Sequence, residues 1–144
     1  MLKRALLTES ADIEVPFHDV DSAQIVWHGH YAKYIEVARC KLLDRIDYNY
    51  PQMYDSGFFW PVIDMRLRYV APVKFQQLVV VEAALMEWEH RLKIDYLIRD
   101  KNSGLKLTKG YSVQVAVNLK GEMLLASPSI LEQKLRTIGV ITCA

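Results

Sequence analysis

Three histidines and two carboxylates crowd the stretch Phe17-His18-Asp19-Val20-Asp21-Ser22-Ala23-Gln24-Ile25-Val26-Trp27-His28-Gly29-His30-Tyr31, just ahead of a long apolar-periodic run. A carboxylate can attack a carbonyl or activate water. The first N–H groups of a helix lack partners within it and lie at the positive end of its dipole, so they can hold a developing oxyanion. An acid residue beside a helix start therefore points to acyl transfer in one shared cleft. His18, His28, His30, Asp19 and Asp21 also offer enough donors for zinc, but His-x-His is weak evidence outside a known scaffold, and the reading is of a site with neither metal nor cofactor.

Asp19-x-Asp21-x-x-x-Ile25-Val26-Trp27-His28-x-x-Tyr31 followed by a helix resembles the opening of hotdog-fold acyl-CoA thioesterases of the 4-hydroxybenzoyl-CoA thioesterase type. The likeness continues through Tyr69-Val70-Ala71-Pro72 and covers roughly residues 11–120. It implies that Asp21 is the catalytic aspartate, acting as nucleophile on the thioester carbonyl or as base toward water. It also implies that the His28 backbone N–H faces the thioester oxygen. The His28 imidazole either orients substrate or Asp21, or fills a polar pocket. Taken alone, Asp21 has a plainer reading as a turn aspartate that accepts backbone N–H groups.

On the substrate side fall Gly29, Gln24 and Tyr31. Gly29 lets the acyl group approach the backbone or only eases the turn. Tyr31 matches a motif position and reads as packing. Ser22-Ala23-Gln24 departs from the small residues or glycine pair that many family members carry after the aspartate; Gln24 there narrows the site or adds a polar contact. Glu36, on the helix near Lys33 and Arg39, reads as solvated or ion-paired.

The elements that must position these residues follow from periodicity. Ile13, Val15 and Phe17 alternate with Glu14 and Pro16 as a short first strand whose proline suits an edge or strand end. From about Gly29 or His30, Tyr31, Tyr34, Ile35, Ala38, Leu42 and Ile46 recur at spacings of three and four, with a face wide enough to imply a largely enclosed helix. Tyr48-Asn49-Tyr50-Pro51 breaks it. The aromatic segment Tyr48 to Trp60 lines an acyl pocket or lid, or is packing.

Ile63, Met65, Leu67 and Tyr69 predict a strand with one buried face. Strands follow at Gln77 to Trp88, from Leu92 to Arg99, and from Leu105 onward to Leu119, with turns at 88–91 and 100–104. Gly110 lies in the last of these, where a bulge or close contact fits. Ser129 and Glu132 are spaced as a capping box for a last helix ending near Arg136. The fold class is α+β: a mainly antiparallel five-stranded sheet wrapped around a long central helix, the hotdog fold the resemblance implies.

The chain's 144 residues, 51% hydrophobic, suit one domain over 1–144. A net charge of +1 makes no overall bid for nucleic acid. No apolar run reaches the ~20 residues of a membrane span, and Thr8, Glu9 and Ser10 cut short the only run near signal-peptide character. A cytoplasmic location is expected. Cys40 and Cys143 form neither a metal spacing nor a disulfide framework, and Cys40 reads as a small core side chain. The partners implied are an acyl-CoA or an acyl group on acyl carrier protein, with no nucleic acid and no membrane, in a homodimer or a homotetramer. Hydrolysis of carrier-bound acyl groups and acyl-thioester binding without catalysis are the rival functions.

Overall fold

The computed structural model describes residues 4–142, so Cys143 lies outside the described residues. Seven strands and three helices run in the order β1 (Leu7–Glu14), α1 (Tyr31–Ile46), α2 (Tyr50–Asp55), β2 (Phe58–Phe59), β3 (Val62–Tyr69), β4 (Leu78–Glu87), β5 (Leu92–Asp100), β6 (Lys106–Gln114), β7 (Val117–Asn118) and α3 (Ser129–Thr137), with 3-10 turns at Phe17–Asp19 and His28–His30. Five strands form one sheet in the order β1-β4-β5-β6-β3. Every neighbouring pair is antiparallel. This is the hotdog arrangement, with α1 lying on the inner face of the sheet.

The helix face was legible because its apolar residues carry the core. Ile35, Ala38, Leu42, Leu43 and Ile46 are buried with Val79, Val81, Ala83 and Leu85 of β4 and Leu92, Ile94 and Ile98 of β5. Each fully buried leucine or isoleucine contributes roughly 1.5–3 kcal/mol relative to exposure. Cys40, placed in the core from sequence, is only partly buried. The helix ends at Asp47, whose left-handed φ of 59° lets its N–H reach the Asp44 and Leu43 carbonyls.

Several local expectations change. The first strand begins at Leu7, well ahead of Ile13, and Phe17 opens a 3-10 turn instead of closing the strand. As an edge strand, β1 buries little, so Thr8, Glu9 and Ser10 pair with β4 without an apolar rhythm. The break after α1 is followed at once by α2, because Asn49 and Gln52 form a reciprocal capping box and Pro51 sits in the first turn. The capping box expected at Ser129 is absent: Pro128 occupies the cap position, and Glu132 accepts from Arg136 at 2.6 Å.

Strand β3 differs most. Instead of one buried face, it is exposed almost throughout, with Ile63 54%, Met65 43% and Tyr69 47% exposed. The sheet order explains this, since α1 packs on β1 and β4 while β3 lies at the opposite edge. Beyond Gln114 the chain leaves the main sheet, and β7 pairs instead with β2. At Gly110 the close contact is real: a Cβ would sit 2.2 Å from the Arg66 carbonyl oxygen on β3.

Candidate active site

The loop carrying Asp21 is a tight reversal. Asp21 N–H donates to the Ile25 carbonyl and Gln24 N–H to the Asp21 carbonyl, both at 2.9 Å, while Val20 and Val26 form an antiparallel bridge. Gln24 closes the reversal with a left-handed φ of 63°. Its far side is sewn to the segment after β3, where Val26 N–H donates to the Val73 carbonyl at 2.8 Å and Phe75 N–H to the Gln24 carbonyl at 3.2 Å.

The two aspartates meet different surroundings. Asp19 is 3% exposed and accepts from Lys33 Nζ at 2.5 Å and Tyr34 Oη at 2.7 Å. Burial works against its charged form, but the bonds from Lys33 and Tyr34 outweigh it and hold the carboxyl below the usual range. Burial and the Asp19 carboxylate together push the Tyr34 phenol up, so it stays a donor. Asp19 thereby ties the loop to the first turn of α1.

Asp21 is exposed. One oxygen, Oδ1, accepts from Ala23 N–H at 2.8 Å, the turn-aspartate contact foreseen as the plainer role. No other hydrogen bond to its side chain occurs among the described residues. The carboxylate is thus anchored at one oxygen, which leaves the other for a reactant.

A cleft of about 330 Å³ opens here, lined by Asp21, Ile25, Val26, His28, Tyr31 and the Tyr69–Pro72 segment. His28 opens a 3-10 turn that runs straight into α1, so its amide begins the turn rather than the α-helix itself. That turn supplies no acceptor for its first N–H. The His28 carbonyl accepts from Tyr69 Oη at 2.9 Å. Tyr31 is more than packing: buried at 3% exposure, it lines the cleft, its hydroxyl accepts from Val73 N–H at 3.4 Å, and its ring meets Tyr69 edge to face.

The structure therefore brings Asp21, His28 and Tyr31 together and leaves Gln24 and Gly29 off the cleft wall. Gln24 acts through its backbone in the turn. Gly29 is shaped by Trp27, whose indole lies 2.2 Å from where a Cβ would stand. The aromatic segment divides without entering the cleft: Tyr48 and Trp60 are buried against each other, while Tyr54 and Phe59 pair on the surface. His18, His28, His30 and the two aspartates do not converge, and no three metal-ligating side chains do so among the described residues. The wall formed by Tyr69 to Pro72 was missed as a site element. Its only signal was the family likeness, since strand spacing says nothing of a partner 41 residues away.

Residues 15–135 match the thioesterase-like superfamily, and the chain belongs to that family. It is a thioester hydrolase. Among curated proteins it is 29% identical over 118 residues to YneP of Bacillus subtilis, provisionally named an acyl-CoA thioesterase, covering 82% of this chain and 73% of that one. Among solved structures it is similar to TT1821, a hypothetical protein of Thermus thermophilus, with a TM-score of 0.78 and 26% identity over 90% of this chain and 98% of that one. A 1,4-dihydroxy-2-naphthoyl-CoA thioesterase from Synechocystis shares the fold at a TM-score of 0.78 and 19% identity, covering 91% and 94%. No helix among the described residues is long and apolar enough to cross a membrane.

Proposed function

We propose that this protein is a cytoplasmic acyl-CoA thioesterase that hydrolyses an acyl or aroyl thioester to the free acid and CoA. The observation that carries the reading is the contrast between the two aspartates. Asp19 is consumed by Lys33 and Tyr34, whereas Asp21 faces a cleft with one oxygen uncommitted.

With Asp21 as base, it takes a proton from water while the hydroxyl oxygen bonds to the thioester carbon. The carbonyl oxygen becomes an oxyanion that the His28 N–H can hold. Collapse of that intermediate breaks the C–S bond, and the thiolate takes up the proton. With Asp21 as nucleophile, its oxygen bonds to the same carbon and expels the thiolate, leaving a mixed anhydride; water cleaves this to the acid and the Asp21 carboxylate, and the proton released passes to the thiolate. Both routes need the same charge at the same place. Apolar Ile25, Val26 and Val70 on the cleft wall would lower the local dielectric and strengthen the oxyanion contact.

The substrate class follows the thioester reading. YneP carries an acyl-CoA thioesterase name. Two fold neighbours bear the names 1,4-dihydroxy-2-naphthoyl-CoA and gentisyl-CoA thioesterase, which puts aroyl as well as alkyl esters in a first panel. The finer likeness to the 4-hydroxybenzoyl-CoA type rests on the motif around Asp21. The assembly is a homodimer, with a dimer of dimers as the larger form. It is supported by the edge of β3 and by the apolar Ile63 and Met65, which the described residues leave about half exposed.

A panel of alkyl-CoA, aroyl-CoA and acyl-carrier-protein thioesters, followed by thiol release, tests the reading. Faster turnover of a CoA ester supports it. Preference for carrier-bound substrate would move it to the first rival, and binding without thiol release would move it to the second.

A further inference from the structure

Tyr69 stands 47% exposed at the end of an edge strand, yet its hydroxyl is spent on a backbone carbonyl 41 residues earlier in the chain. That carbonyl belongs to His28, whose N–H is the oxyanion donor of the proposed mechanism. Resting on that reading, we propose that Tyr69 is a positioning residue, a clamp that holds the His28 turn in register with Asp21 so that the oxyanion donor is aimed before substrate arrives.

The geometry supports a clamp over a simple packing contact. Tyr69 Oη donates to His28 O at 2.9 Å, bridging the end of β3 to the 3-10 turn across the cleft that both residues line. The Tyr69 ring is fixed in turn, edge to face against Tyr31 at a centroid distance of 4.7 Å and an interplanar angle of 87°. Tyr31 is buried, and its hydroxyl accepts the Val73 N–H. On the other side, Asp21 sits in a reversal sewn to Val73 and Phe75. The segment from Tyr69 to Phe75 therefore touches both halves of the site, the Asp21 loop through its backbone and the His28 turn through one phenol.

The His28 carbonyl and the Gly29 N–H share one rigid peptide plane. The His28 N–H lies in the preceding plane, whose Trp27 carbonyl accepts from His30 N–H at 2.9 Å. With one plane held by Tyr69 and the other by His30, φ and ψ of His28 between them are fixed, and with them the place of its N–H. An oxyanion donor acts by being in place beforehand, whereas a hydrogen bond between partly exposed groups adds little to folding because water competes for both. Loss of this hydroxyl should therefore be felt in the chemical step far more than in stability.

Tyr69→Phe removes only the hydroxyl and keeps the ring against Tyr31. With a thioester the wild type hydrolyses, kcat should fall about tenfold, the scale of one hydrogen bond's net worth. KM and the affinity for a non-hydrolysable CoA thioether should stay within about twofold, and the melting temperature within about 2 °C. Tyr69→Leu, which also removes the ring, should add losses in binding and stability. Unchanged kcat in Tyr69→Phe overturns the proposal. So does a Tyr69→Phe protein that loses thioether affinity, melting temperature and kcat together, or that fails to fold, because each marks a structural role. A wild type that releases no thiol from any ester sinks the functional reading and this clamp with it, whereas normal wild-type turnover with an unaffected Tyr69→Phe sinks the clamp alone.

Discussion

Two carboxylates two residues apart have been given opposite fates by their neighbours. Asp19 lies where Lys33 and Tyr34 of α1 can reach it, and charge-assisted bonds of this kind contribute about 1.5–3 kcal/mol. Asp19→Asn should therefore lower stability by roughly that amount at pH 7 while leaving most of the turnover per folded molecule. Because folding depresses its pKa, its contribution is present above the unfolded value of about 3.9 and is lost as pH falls through the lower folded value. Denaturant titrations at pH 7 and at pH 3 should accordingly show the gap between wild type and Asp19→Asn narrowing in acid; a gap that widens would mean that Asp19 does not bear its charge as described. The family likeness singled out Asp21, but spacing alone does not say which of two nearby aspartates will be buried. That is decided by Lys33 and Tyr34, 14 and 15 residues further on.

Among the elements, α1, β4 and β5 were legible because their apolar rhythm coincides with burial within this chain: the alternating Leu92, Ile94, Tyr96 and Ile98 all face the core. The rhythm misled at β3, where Ile63 and Met65 alternate as a buried face would and yet lie open. Periodicity records which face avoids water in the working protein, without saying whether the cover comes from the same chain. Edge strand β1 and helix α2 were under-read for the opposite reason, since strand pairing and a capping box stabilise them more than apolar pattern does. Gly110 offers an element-level test. A methyl group there would press on the Arg66 carbonyl oxygen and on Leu67, and backbone cannot yield as a flexible side-chain tip can. Gly110→Ala should cost about 1–3 kcal/mol in chemical denaturation, and a stability equal to wild type would show that β3 and β6 are not packed this closely.

On the scale of the whole molecule, the sheet is covered on the β1 and β4 side by α1 and bare at β3. A second copy pairing along β3 would satisfy the open edge and the apolar Ile63 and Met65 in one interface. Sedimentation should then find a dimer or larger at working concentration. Met65→Glu should shift the population toward monomer, because a carboxylate would be buried without a partner. A wild type that sediments as a fully active monomer would refute the assembly.

The central claim is that thioester cleavage runs through the Asp21 carboxylate. Asp21→Asn keeps the shape of the side chain and a carbonyl oxygen for the Ala23 N–H, but removes the negative charge that either route requires. Measured beside Asp19→Asn on the same CoA thioester, it should fold normally, bind a thioether analogue about as well as wild type, and lose at least ~10²-fold in kcat, within the 10²–10⁴ that a positioned acid–base group contributes. Wild-type turnover in Asp21→Asn, or a folded Asp19→Asn that alone is inactive, would place the chemistry on the wrong aspartate.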